Sequence, residues 1–195
     1  MPGIDNPLTL NIPERFETER LILRAHSLDD LKAMHNALEA SHKELNQWMP
    51  FAAGDTPQSI ADTEGFIRRA MADFIMRRMF GYSLLSREDE HYIGNIGVHV
   101  KKLHVPNFEI GYWLDTREAG NGYMTEAAQC LTDYFINTVG ARRMMIMCDS
   151  RNRASASVAL KCGYTLEGVS KHDSRDNRGE LVDMELYSIA VPDDD

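Results

Sequence analysis

The residues best placed to do chemistry lie in one run, FEIGYWLDTREAGNGYMTEAA, residues 108–128. A strand-like segment leads into a loop holding Gly120 and Gly122, and a helix-like segment follows without a break. Successive backbone amides in such a turn converge on one point, and the helix dipole adds positive potential there. The chemistry on offer is anion binding, most simply of a phosphate or pyrophosphate. Glycine at both positions admits a ligand where a Cβ would block its approach to the backbone. Two well-known phosphate loops do not fit. A dinucleotide fingerprint needs a third glycine at 125, where Thr125 stands, and no Gly-Lys-Ser/Thr closes the loop. The pattern present is Arg-x-x-Gly-x-Gly, from Arg117 to Gly122.

Further along, Asn152 is a helix N-cap by type, with Ser155 three residues into the helix it starts. The three cysteines, Cys130, Cys148 and Cys162, are far apart and odd in number. No CxxC and no histidine at a zinc-like spacing accompanies them, so neither a metal site nor a disulfide framework is expected. Cys130 and Cys162 read as small buried hydrophobes, and a cysteine nucleophile with a ping-pong mechanism is set aside.

The elements that must carry these residues follow from periodicity. Residues 20–24 read as a strand. Ser27 with Asp29 and Asp30 opens a helix carrying Leu31, Met34, His35 and Leu38 at helical spacing. A second helical stretch is predicted over 41–48, stopped near Pro50, and a longer one from Thr56-Pro57, with Ile60, Phe66, Ile67, Met71 and Phe74 on or near one face. Strands follow at 80–85, 91–100 and 108–114. The helix after the glycine loop has Met124, Ala127, Ala128, Leu131, Tyr134 and Phe135 on its apolar side. A buried strand at 143–148, a short helix from Asn152 ended by Gly163, and strands at 164–167 and 181–189 complete the order. This is a mixed α/β arrangement with one parallel crossover in its second half.

The composition fits such a domain. The chain has 195 residues, 43% hydrophobic and 26% charged, with a net charge of −9. That excludes wholesale disorder and argues against a protein that coats nucleic acid or an anionic membrane. No apolar run reaches the roughly 18 residues of a membrane span, and the N-terminus has no signal-peptide pattern. The expectation is one cytoplasmic domain over 1–195, with 1–16 as a lead-in and 191–195 as an acidic tail.

The run from Glu109 to Asp115, together with Gly120-Asn-Gly-Tyr-Met-Thr-Glu-Ala127, resembles the acetyl-coenzyme A motif of the GNAT N-acetyltransferases. It is most similar to their ribosomal-protein alanine/serine subgroup. Asn152-x-x-Ser155-x-x-Val158 with Cys162-Gly163-Tyr164-x-Leu-Glu-Gly168 resembles that subgroup's late helix and next strand, and residues 18–24 and 183–188 resemble its first and closing strands. The likeness spans roughly residues 17–190.

The resemblance implies a mostly antiparallel, twisted sheet of about seven strands, splayed in the middle and flanked by helices. It implies acetyl-CoA as co-substrate. The pantetheine arm would bond the backbone at Trp113 and Leu114, and the pyrophosphate would sit on the amides of Ala119, Gly120, Asn121, Gly122, Tyr123, Met124 and Thr125. Tyr112 and Trp113 are expected to pack in the core by their side chains. Arg117 either contacts phosphate or is a solvated loop arginine. Asn152 would hydrogen-bond the coenzyme arm. A tyrosine acid common among relatives is replaced by Ala159, so Ser155 inherits its place beside the thioester sulfur.

The reaction implied is direct attack of a primary amine on the thioester in a ternary complex. An α-amine, with a pKa of about 7.7–8.0, is partly neutral at pH 7, whereas a lysine amine at about 10.4 needs more help. Glu109 is the first candidate base, on one strand face with Gly111 and Trp113. Asp173 is the second, with Ser174 beside it. The subgroup likeness favours a protein N-terminal amine as acceptor. The alternatives are a small-molecule amine acceptor, or a non-catalytic acyl-CoA-binding module. The walls for the acceptor are expected from 41–77 and 101–107, and a homodimer is a further expectation of the resemblance.

Overall fold

The computed structural model describes Ile4 and residues 6–192. Residues 193–195, most of the expected acidic tail, lie outside the described residues. In chain order the strands are β1 (Arg15–Glu17), β2 (Leu21–Ala25), β3 (Met79–Ser86), β4 (Tyr92–Lys102), β5 (Asn107–Leu114), β6 (Arg143–Asp149), β7 (Thr165–Arg175) and β8 (Leu181–Ala190). The helices are α1 (Leu31–Leu45), α2 (Ile60–Ile75), α3 (Tyr123–Tyr134) and α4 (Arg153–Lys161).

All eight strands form one sheet in the order β1-β2-β3-β4-β5-β6-β8-β7. The extra strand beyond the expected seven is β1, which begins inside the expected lead-in and pairs antiparallel with β2. Only the β5–β6 contact is parallel, and it is short. Asn107, Phe108 and Glu109 pair with Arg143, Met144 and Met145, and the ladder stops there. From Ile110 to Leu114, β5 continues along β4 alone. The sheet is therefore splayed beside the segment that leads into the glycine loop.

Helices cover both faces of the sheet's centre, so its inner strands read as near-continuous apolar runs rather than alternating ones. Alternation still sorts the side chains. Leu21 and Leu23 join a core with Phe80, Tyr82, Phe108, Ile110, Met144, Ile146 and the inner faces of α3 and α4. Ile22 points the other way, into a second core with Met34, Leu38, Ile67, Tyr92 and Trp113 beneath α1 and α2.

Two helix boundaries differ from expectation. The stretches around 31–38 and 41–48 are largely one helix, α1, because no breaker stands between them. A capping box formed by Ser27 and Asp30 sets the single turn ahead of it. The next helix, α2, begins at Ile60 rather than at Pro57. Ser59 accepts from the Asp62 amide and Asp62 reaches back, so the reciprocal cap wins over the proline. Ile60 and Met71 stay exposed, while Ile67 and Phe74 are buried.

Candidate active site

The glycine loop is shaped as an anion cradle. Gly120 and Gly122 both have positive φ, +87° and +79°, a conformation L side chains resist. The first carbonyl-bound amide of α3 is Glu126 N–H, on Gly122 O at 3.1 Å. The amides from Gly120 to Thr125 come before it and have no helix carbonyl to serve. Ala119 differs, because its amide closes a short turn on Thr116 O at 3.3 Å.

The loop is held from outside by the turn between β1 and β2. Glu126 accepts from the Thr18 hydroxyl at 2.6 Å, the Arg20 amide at 2.9 Å and Arg20 Nε at 2.7 Å. Arg20 also donates to Asn121 O at 2.9 Å and lies over the Tyr123 ring at 4.8 Å. Burial raises the Glu126 carboxyl, but the Thr18 and Arg20 hydrogen bonds outweigh it and hold it below the usual carboxylate range. Arg117 is clasped bidentately by the buried carboxylate of Asp115 while its guanidinium stays 65% exposed. It is thus both a structural partner and a cation at the loop's rim.

A cavity of about 350 Å³ opens where β5 parts from β6. It brings together Tyr112 and Trp113 of β5, Cys148 of β6, and Asn152 and Ser155 at the start of α4. Asn152 Oδ1 accepts from the Ser155 amide at 3.0 Å, which is the cap expected from its type. The Ser155 hydroxyl lies 2.9 Å from the Tyr112 hydroxyl, which also reaches Ser155 O at 3.2 Å. Burial pushes the Tyr112 phenol well up, so it remains a proton donor at neutral pH. Burial likewise pushes the Cys148 thiol up, away from thiolate character.

On β4 the cavity floor runs Asn95, Gly97, His99, one face at period two. In register these residues stand opposite Trp113, Gly111 and Glu109. His99, at the exposed end of that row, is chemistry that the sequence did not announce. Burial lowers its pKa, while Glu109 across the ladder opposes that shift. Glu109 itself is paired with Lys101 at 2.8 Å and is not among the cavity's lining residues. Asp173 sits on the exposed strand β7, and the lining resumes only at Ser174, Arg175 and Asp176. Of the expected acceptor walls, 41–77 supplies Gln47 to Phe51 and Phe66, while the turn at 103–106 supplies nothing to the lining.

The description "Acetyltransferase (GNAT) domain" matches residues 20–165, about three-quarters of the chain. The chain belongs to the GNAT acetyltransferase family. Ribosomal-protein-serine acetyltransferase of Escherichia coli K12 is 31% identical over 180 residues, covering 89% of this chain and 94% of that protein. An uncharacterised N-acetyltransferase of Bacillus subtilis 168, YoaA, is 27% identical over 177 residues, covering 91% and 97%. Among solved structures, the microcin C7 self-immunity acetyltransferase MccE, in complex with acetyl-CoA and AMP, superposes with a TM-score of 0.82 at 22% identity. The alignment covers 92% of this chain and 98% of that one. At that identity the likeness speaks to the fold.

This GNAT chain is an N-acetyltransferase with acetyl-CoA as co-substrate. The residues present fit that co-substrate. The cradle at 120–125 offers unserved amides to a pyrophosphate, and nothing lies within 4 Å of where a Cβ at Gly120 would project. The parting of β5 from β6 leaves one edge of residues 110–114 without a ladder partner. Among the described residues, no helix is long and apolar enough to cross a membrane.

Proposed function

We propose that this acetyltransferase acts on the N-terminal α-amine of a protein whose first residues enter an apolar slot. The observation that carries this reading is the electrostatic character of the cavity. Its walls are Trp48, Met49, Phe51, Phe66, Trp113 and Met184, and its carboxylates are Asp149 and Asp176. Both carboxylates are tied to Arg151, at 2.7 and 3.2 Å. Despite the net charge of −9, a polyamine or aminoglycoside finds no free carboxylate among the lining residues to hold its extra cations. An α-amine on a short apolar or hydroxylated residue needs none. The Escherichia coli relative named for a ribosomal-protein serine supports the same class.

The amides of Gly120 to Thr125 and the Arg117 guanidinium hold the diphosphate, and the Trp113–Leu114 backbone and Asn152 side chain hold the arm. The amine's lone pair forms the C–N bond at the thioester carbonyl as the C–S bond breaks. Ser155 then donates its hydroxyl proton toward the departing sulfur and takes one from Tyr112, 2.9 Å away, as the phenol takes a proton from water in the open cavity. The amine's surplus proton passes to His99, directly or through one water, with Glu109 across the ladder favouring the imidazolium. Asp173, exposed on β7, has no part in this scheme.

The test is an acceptor panel read by release of free thiol from acetyl-CoA. Peptides beginning with serine or alanine, phenethylamine and spermidine are compared by kcat/KM. The expected order has the peptides first. Spermidine first, with the peptides inert, overturns the reading.

A further inference from the structure

A buried chain of hydrogen bonds runs from the cavity floor to the far side of the α1–α2 core. Its links are Asn95 Nδ2 to His26 Nε2 at 2.9 Å, His26 Nδ1 to Ser83 Oγ at 2.9 Å, and Ser83 Oγ to Asp30 Oδ2 at 2.8 Å. Asp30 is anchored in turn by Arg24 at 2.5 Å. His26, Asp30, Ser83 and Asn95 are all more than 90% buried. Nothing in the scheme above uses them, and buried polar groups of this kind are costly unless each is satisfied.

The polarity of the chain is fixed from one end. Asp30, ion-paired with Arg24, only accepts, so the Ser83 hydroxyl must donate to it. The Ser83 oxygen then accepts, so His26 Nδ1 carries the hydrogen. Burial lowers the His26 pKa to about 4, so the ring is neutral and Nε2 is a bare acceptor. Asn95 must turn its NH₂ to Nε2, and its amide is left presenting Oδ1. Asn95 lines the cavity beside Gly97, where no side chain intervenes, and Phe66 packs edge-on against His26 at 5.6 Å while lining the same cavity.

We propose that Asn95 Oδ1 is the acceptor-amine hydrogen-bond partner of this enzyme, and that His26, Ser83 and Asp30 are positioning residues that lock its amide in that orientation. An amine attacking with its lone pair toward the thioester has N–H bonds to place elsewhere, and a fixed carbonyl oxygen holds one of them. A carbonyl oxygen cannot take the proton away, so it orients the nucleophile without competing with the base. An amide free to flip would present NH₂ half the time and repel the amine's hydrogens. This inference rests on the acetyltransferase activity but not on the identity of the acceptor.

Two measurements test it. The first needs no acceptor. Long-range ¹H–¹⁵N correlation on histidine-labelled enzyme, with His26→Gln to assign the signal, should show His26 neutral and protonated on Nδ1 at pH 7. A ring protonated on Nε2, or an imidazolium, turns Asn95 Oδ1 away from the cavity and overturns the proposal. The second compares wild type, Asn95→Leu and Ser83→Ala, with the best amine of the panel above as probe. Asn95→Leu should raise the amine KM or lower kcat/KM roughly tenfold or more, with acetyl-CoA Kd unchanged by calorimetry. Ser83→Ala should show the same split in smaller degree. Equal amine kinetics in wild type and Asn95→Leu, or a parallel loss of acetyl-CoA binding, overturns the role. If no amine of the panel reacts, the acceptor reading fails while the tautomer experiment still decides this one.

Discussion

Arg20 and Glu126, one just ahead of β2 and the other in the first turn of α3, are joined by side chain and backbone alike. Arg20 continues to the Asn121 carbonyl, so the turn between β1 and β2 holds the glycine loop in its curvature. The loop's shape is imposed by its neighbours as well as by its glycines.

Glu126→Ala should therefore weaken acetyl-CoA binding about tenfold by calorimetry while the chain stays folded. In wild type, acetyl-CoA at 100 times its Kd adds about 2.7 kcal/mol. For a domain of this size that raises Tm by on the order of 5–10 °C, with NADH and ATP as inert controls. An unaltered Kd in Glu126→Ala would show that the clasp does not shape the cradle.

Gly120→Val separates backbone strain from steric block. Nothing lies within 4 Å of the added Cβ, so the cost comes from φ +87°, about 1–2 kcal/mol in urea denaturation. Coenzyme affinity should fall further than stability does, since the branched side chain stands in the cradle proposed for the diphosphate. Equal losses in the two measurements would argue that Gly120 serves folding only.

In the proposed scheme, Ser155→Ala and Tyr112→Phe act on thiol departure. Both should lower kcat, Ser155→Ala by about a hundredfold and Tyr112→Phe by about tenfold, with acetyl-CoA Kd little changed. The double variant should cost little more than Ser155→Ala alone, because the phenol acts through the serine. Additive losses would separate the two residues.

His99 acts as a base only when neutral, and burial lowers its pKa from 6.5. The acid limb of kcat/KM that belongs to it therefore lies below pH 6.5, apart from any limb contributed by the α-amine near 7.7–8.0. His99→Gln should abolish that limb and reduce the rate about a hundredfold at pH 7. Glu109→Gln removes an influence that raises the His99 pKa, so the limb should move to lower pH. A full loss in Glu109→Gln with His99→Gln near wild type would assign the base to Glu109.

His26 makes folding pH-dependent. Its folded pKa is about 4 against 6.5 unfolded, so the unfolded chain binds the extra proton between those values. The stabilisation is complete above pH 6.5 and is lost as pH falls toward 4, by about 3 kcal/mol for the full shift. Denaturation midpoints from pH 8 to 4.5 should fall less steeply in His26→Gln than in wild type. Identical slopes would show that His26 takes up its proton alike in the folded and unfolded chain.

Much of this was legible in the chain. The glycine loop, the Asn152 cap and the succession of helices and strands along the chain follow from local patterns that tertiary structure did not override. The row Asn95-Gly97-His99 was not read, because its place opposite Trp113, Gly111 and Glu109 is set by strand register and a histidine in an apolar strand carries no local sign of a cavity. Tyr112 was read as core by its neighbours, and it is mostly buried. What the sequence hides is that its hydroxyl meets a serine 43 positions away, through the parting of β5 from β6. His26 is more opaque still, because its partners come from α1's leading turn, β3 and β4, and no spacing announces a chain of contacts across three elements.

The parallel seam between β5 and β6 comprises three residue pairs, 107–109 with 143–145. Among the described residues it is the one strand pairing between a five-stranded wing, β1 to β5, and a three-stranded wing, β6, β8 and β7. Amide exchange in the free protein should therefore be governed by separate opening of the two wings, fastest at the unpaired edge of residues 110–114. A ligand strand laid along that edge would splice the wings into one cooperative unit, slowing exchange in β8, one strand beyond the seam.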